Sequence, residues 1–271
     1  MTTPSTPPVS GAEAQWSEPT PVPRRPWPGR YYAAAAALAV LVFALCFGRD
    51  LTLPGLYMDS INPEYIAVKA VVDGARDDTP TLVLPGNILA GKYPVLAGSY
   101  YHGPLQFYIA LPIYAAMGAD IVSARVVQGL YGVLILLAMA WVARRYSIHP
   151  VVAATMLALL ALDPAFTLAF KTQAYNVMWP LVWLFLAIGA TESWAARGNQ
   201  PRASQLLCSG FLLGLSFFCY FVFLFFVPAL AGYLMHCLRH VGVRENGRIL
   251  VALTLSGIGF CVGGVGYLVG Y

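Results

Sequence analysis

Charge is what this chain has least of. Only 10% of its 271 residues are Asp, Glu, Lys or Arg, against 59% hydrophobic, and the mean hydropathy is +0.67. A soluble globular chain carries about 25% charged residues, so that class is excluded and an integral membrane protein is implied. The apolar runs are continuous and approach the ~20 residues a spanning helix needs. A β-barrel would instead show strands of about ten alternating residues. The sequence therefore reads as an all-α, polytopic membrane protein.

Acids are scarcer still, with 12 Asp and Glu against 16 Lys and Arg and a net charge of +4. That excess does not point to nucleic acid. Ten of the sixteen basic residues lie in the short segments 24–30, 144–145, 197–202 and 239–248, which flank apolar runs on alternate sides. Such a pattern encodes topology. Metal-ligand spacing is missing too: Cys46, Cys208, Cys219, Cys237 and Cys261 sit within or at the ends of apolar runs and read as small lipid-facing or core residues. A signal peptide is not indicated, because the first apolar run begins at Tyr31, after Arg24, Arg25 and Arg30, with no small-residue cleavage pattern behind it. No internal repeat or pair of broken helices appears, which disfavours a transporter.

Residues 1–30 hold eight prolines and few apolar side chains and read as a disordered cytoplasmic tail. Residues 31–271 then form the membrane module, with spans expected at 31–47, 126–143, 151–162, 176–191, 206–218, 221–238 and 249–271. With seven spans and the tail inside, every basic segment falls on the cytoplasmic side. Residues 50–124 become one large external loop. The split near Cys219 and Tyr220 has an alternative, one helix of more than 30 residues that would reverse everything after it. The basic segment 239–248 favours the split. No soluble domain follows the last span, and nothing distinguishes a natural terminus from a piece of something longer.

The loop carries the chemistry. In Tyr-Met-Asp-Ser-Ile-Asn-Pro-Glu-Tyr, residues 57–65, Asn62 suits a helix cap, Pro63 the first helical position and Glu64 the first turn. A helix is expected from Pro63 to Asp73-Gly74, apolar enough to lie at the interface. Glu64 is thereby explained as a dipole partner, whereas Asp59 has no such role and a carboxylate at a bilayer edge is costly unless used or paired. Residues 77–103 are irregular and carry Lys92, Tyr93, Tyr100, Tyr101 and His102. The fourteen residues 104–117 are short for a span and fit an interfacial helix. Arg125 reads either as a snorkelling anchor or as a ligand for an anionic headgroup. Lys171 stands with Gln173, Tyr175 and Asn176 in the next external turn.

In order and spacing these parts resemble the C-type glycosyltransferase superfold, which includes protein O-mannosyltransferases and aminoarabinose transferases. The resemblance covers about 57–240. It rests on Asp59 early in the loop, His102-Gly103-Pro104-Leu105 at the entry to a juxtamembrane helix, and Gly118-Ala119-Asp120 leading through Ser123-Ala124-Arg125 into the second span. The exit of that span from Trp141 to Tyr146, with its paired arginines, and Gly210-Phe211-Leu212-Leu213-Gly214-Leu215 complete it.

The resemblance implies transfer of a sugar from a polyprenyl phosphate donor to an acceptor hydroxyl on the outer face of the plasma membrane, with inversion. Asp59 would be the general base. His102, Arg125 or Lys171 would stabilise the departing phosphate, and Glu64, Tyr175 and Asn176 would complete the substrate-binding set. The acceptor, whether glycan, lipid or protein, is not specified. This chain departs from the family's adjacent acid pair, since Ser60 follows Asp59 and Glu64 is about 140° away on a helix. Tyr175-Asn176 stands where some relatives have an acid, so no metal and no other cofactor is expected. The alternative is a non-catalytic or truncated membrane protein of the same architecture that binds a lipid or a partner.

Overall fold

The protein is described here by a computed structural model covering residues 27–55, 103, 105–172 and 175–266. Its first helix, α1 (Gly29–Gly48), follows Pro28 and contains five successive alanines, 33–37, the residue with the best helix propensity. One face of α1 buries Ala35, Ala36, Ala39, Phe43 and Phe47, while Leu38, Leu41 and Leu45 stay exposed on the other. Next come α2 (Leu105–Met117) and α3 (Ile121–Arg145). The latter starts sharply because Asp120 and Ser123 form a reciprocal capping box. Helices α4 (Pro150–Leu162) and α5 (Pro164–Ala169) each take proline at the first position and meet at Asp163. The Asp163 carboxylate accepts from the Ala165 N–H at 2.8 Å, so it caps a turn.

Helix α6 (Tyr175–Met178) is short and leads through a turn into α7 (Leu181–Ala195). The expected span 176–191 is therefore interrupted at Trp179-Pro180, where proline has no N–H to continue the ladder. Helix α8 (Ala203–Cys219) stops at Tyr220, whose backbone is extended at φ −154° and ψ 119°. A 3-10 segment (Phe221–Phe226) leads into α9 (Val227–His240), and α10 (Asn246–Gly263) follows. The single long helix across Cys219 and Tyr220 is thus excluded.

Among the described residues the regular elements are all helices, and four stretches are long and apolar enough to cross a bilayer: Gly29–Gly48, Ile121–Arg145, Phe221–His240 and Asn246–Gly263. The protein is a helical membrane protein. Of the cysteines, Cys219 and Cys237 are buried, Cys208 and Cys261 exposed and Cys46 half-buried, all with free thiols.

Side-chain contacts sort the helix ends into two groups. At one end Tyr32 donates to the Ile148 carbonyl at 2.6 Å, linking the start of α1 to the start of α4. Tyr146, just past α3, donates to Tyr233 of α9 at 2.7 Å, and Tyr233 donates to Glu192 of α7 at 2.6 Å. Trp194, Leu206, Leu238 and Ile249 cluster there as well. Leu206 opens α8 and Leu238 closes α9, so these two helices run in opposite directions. Arg30, Arg144, Arg145, Arg197, Arg202, Arg239, Arg244 and Arg248 all belong to this arginine-rich end. The other end gathers residues 49–55, α2, the start of α3, α5 and the close of α8; we call it the loop end.

Close helix contacts hold the bundle without needing a hydrophobic drive, which lipid does not supply between apolar helices. Helices α8 and α10 touch backbone to backbone. A Cβ at Gly210 would lie 1.9 Å from the Ser256 carbonyl oxygen, and one at Gly263 would lie 2.2 Å from that of Phe211. Helices α1 and α3 instead use glycine to seat rings: Phe43 fills the space over Gly132 and Phe47 that over Gly129.

Candidate functional site

Arg125 lies in the second turn of α3 and has no exposed surface. An arginine so placed must be fully ligated, because an uncompensated buried charge costs several kcal/mol. Its ligands are mainly main-chain carbonyls. Nε donates to Leu51 at 3.3 Å, Nη1 to Lys171 at 2.8 Å and to the Gln128 side-chain oxygen at 2.7 Å, and Nη2 to Pro54. Arg125 thus neither snorkels nor turns to the surface; the short segment after α1 folds over it.

Lys171 works on the same segment from the far side of α5. It is 7% exposed, and its ammonium donates to the carbonyls of Arg49 at 2.5 Å and Asp50 at 3.3 Å. The same group sits 5.5 Å from the centroid of the Phe47 ring, a cation–π distance. Burial, and after it the Arg125 guanidinium, hold this lysine below its ordinary pKa, while Asp50 acts in the opposite sense. Phe43, Phe47, Phe166 and Phe170 pack edge-on and stacked beneath it. They form the apolar floor that makes the lysine's burial possible.

The far end of the loop is fastened by different chemistry. The last carbonyls of a helix have no intrahelical partner, and at Cys219 this oxygen accepts from the Gly103 N–H at 3.3 Å and from Gln106 Nε2 at 3.0 Å. The approach is so close that a Cβ at Gly103 would fall 1.7 Å from the Phe218 oxygen. Only glycine fits there, which gives the His102-Gly103-Pro104 stretch a steric reason for its middle residue. Gln106 is fully buried and its Oε1 has no hydrogen-bond partner among the described residues.

Asp120 marks the rim. The Ser123 N–H donates to its carboxylate at 2.8 Å, and this bond above all holds the group below the usual carboxylate value. It is a cap and needs no further role.

Asp59, Glu64 and His102 lie outside the described residues, as does the helix expected from Pro63. Tyr175 and Asn176 open α6, and their side chains are likewise not described. Among the described site candidates, Arg125 and Lys171 are brought together, joined by the hydrogen bond from Arg125 to the Lys171 carbonyl. Sequence reasoning missed Gln106 and Gln128. Each is a single amide within an apolar helix, which is costly in lipid without a partner, and that signal was available. Among the described residues no group of three His, Cys, Asp or Glu gathers in metal-binding fashion.

In comparisons with known proteins, no family model, no curated protein and no solved structure matches the chain.

Proposed function

We propose that this protein is a membrane glycosyltransferase that moves a sugar from a polyprenyl phosphate to an acceptor hydroxyl. In this reading the chain crosses the bilayer seven times, with the arginine-rich end in the cytoplasm and the loop end outside. One observation carries the proposal. Residues 49–54, a few positions before Asp59 in the chain, are bound by Arg125 and Lys171, and Gly103 and Gln106 are bound by the Cys219 carbonyl at the same end of the bundle. Flanking anchors of this kind suit a site that meets a lipid-linked substrate at membrane level.

Asp59 is the general base. It takes the acceptor's proton as that oxygen bonds to the anomeric carbon and the bond from that carbon to the phosphate oxygen breaks, with inversion; the polyprenyl phosphate leaves as an anion. Arg125 and Lys171 serve this reaction by positioning, since their donors are engaged with main-chain carbonyls. Their positive field still favours an anion nearby. Glu64, His102, Tyr175 and Asn176 contact the substrates, and Gln106 Oε1 accepts from a hydroxyl.

The second reading is a non-catalytic membrane protein that binds a lipid or a partner. What favours it is the inward turn of both cations, which a scaffold alone would also require. Lipid extracts of cells with wild type, with no copy and with Asp59→Asn separate the two. The proposal expects a polyprenyl phosphate sugar to accumulate in the last two, with Asp59→Asn inserted in the membrane at wild-type level. Normal turnover in Asp59→Asn refutes the base, and an unchanged lipid profile without the protein selects the second reading.

A further inference from the structure

A cavity of about 250 Å³ lies between α7, α8, α9 and α10, at mid-depth in the bundle and separate from the Arg125 and Lys171 contacts. Its walls are two facing stripes. On α9 they are Val227, Leu230, Ala231 and Leu234, and on α10 Leu253, Ser256, Gly257 and Phe260, both with the spacing of one helical face. Two of the three wall hydroxyls are already engaged. Thr191 donates to the Ala187 carbonyl at 3.1 Å and Ser209 to that of Leu206 at 3.0 Å, each within its own helix. An engineered apolar cavity of about 150 Å³ takes up benzene, so this one has room for a longer stretch of hydrocarbon.

The mouth opens onto an exposed apolar face of α10. Gly257 is exposed, a Cβ there would meet nothing within 4 Å, and the neighbouring Leu250, Val251 and Ile258 are 65%, 60% and 50% exposed. Five residues below the cavity floor on each helix, about 7.5 Å along the axis, stand Arg239 and Arg248. Arg248 is tied to Glu245 at 2.9 Å. Arg239 and Arg244 are exposed and form no ion pair among the described residues. The rim beneath an apolar cavity therefore has surplus positive charge at the depth where a phospholipid with its chain in that cavity would carry its phosphate.

We infer that this groove binds one anionic phospholipid from the leaflet at the arginine-rich end, with an acyl chain between α9 and α10 and the headgroup at Arg239 and Arg244. Its arginine rim lies at the opposite end of the bundle from the loop, and the site stands whether or not the transfer reaction does. Anionic headgroups interact with juxtamembrane arginines by about 1 kcal/mol each, so selectivity resides in the rim and retention in the groove.

Native mass spectrometry of the full chain, purified in detergent and titrated with phosphatidylglycerol or phosphatidylcholine of the same chains, tests both parts. Wild type retains one phosphatidylglycerol in preference to phosphatidylcholine. Arg239→Gln with Arg244→Gln lowers phosphatidylglycerol retention about fivefold for each arginine and leaves phosphatidylcholine unchanged. Gly257→Leu fills the groove and removes retention of both lipids, and leucine is the better helix former at that position. Ala231→Phe, from the facing wall, does the same and serves if Gly257→Leu does not fold. Equal retention of the two lipids by wild type, or wild-type retention in a folded groove-filling variant, overturns the inference.

Discussion

At the arginine-rich end Arg197, Arg202, Arg239 and Arg244 are exposed and Arg145 is half-buried over Trp141, whereas at the loop end Arg125 has no exposed surface and Lys171 only 7%. The same kind of side chain does unlike work in the two settings. A hydrated arginine interacts weakly with each neighbour and acts through number, as a topological signal. A buried one must find a partner for nearly every donor. At the loop end those partners are the carbonyls of residues 49–54, so the charge shapes the main chain around itself.

Single substitutions at the two ends should therefore differ widely. Arg125→Met removes the donor to the carbonyls of Leu51, Pro54 and Lys171 and to the Gln128 side chain and should cost about 3 kcal/mol, since a buried polar group that loses its partner costs about 1–3 kcal/mol. Arg197→Gln at the other end should stay within about 0.5 kcal/mol. Thermal unfolding of both variants in the same detergent measures the contrast, and similar midpoints would erase it.

A smaller effect probes the one place where the arginine-rich end does use buried polar chemistry. Tyr233→Phe removes the hydroxyl between Tyr146 and Glu192 and should cost about 1 kcal/mol, given that interhelical hydrogen bonds in membranes contribute about 0.6–1.7 kcal/mol. Urea or detergent titration of helicity reads it. A loss as large as that of Arg125→Met would mean that both ends depend on buried networks.

The smallest effect is confined to the first turn of α3. The Asp120 carboxylate is held below its ordinary pKa of 3.8 by the Ser123 N–H. Its contribution is therefore present above that value and lost as pH falls through the lower folded-state value. The protection factor of the Ser123 amide should drop over that acid range in wild type. In Asp120→Asn it should stay level, because the amide oxygen caps without titrating.

Much of the fold was legible because the bilayer imposes a length and a composition on every spanning helix. The helices from Gly29, Ile121, Ala203 and Asn246 begin within a few residues of their expected starts, and Asp163 caps the turn that Asp-Pro suggests. The interruption at Trp179-Pro180 and the 3-10 segment from Phe221 were not legible as such, since apolar runs have no periodicity where every face is apolar. A proline in such a run signals only that something must give. The site was legible in its residue types and not in their roles. Arg125 and Lys171 could be singled out as rare charges near helix ends, but nothing in the linear pattern says which way a long side chain turns.

The sequence by itself determined that this is a helical membrane protein with its arginines gathered between apolar runs, because transfer of charge into hydrocarbon is prohibitive and composition alone records where it was avoided. Only the tertiary structure decided that two cations are drawn inward onto the backbone of residues 49–54, that Gly103 must be glycine beside Phe218, and that a groove stays open between α9 and α10. Each of those depends on the distance between elements far apart in the chain, and that distance is set by packing.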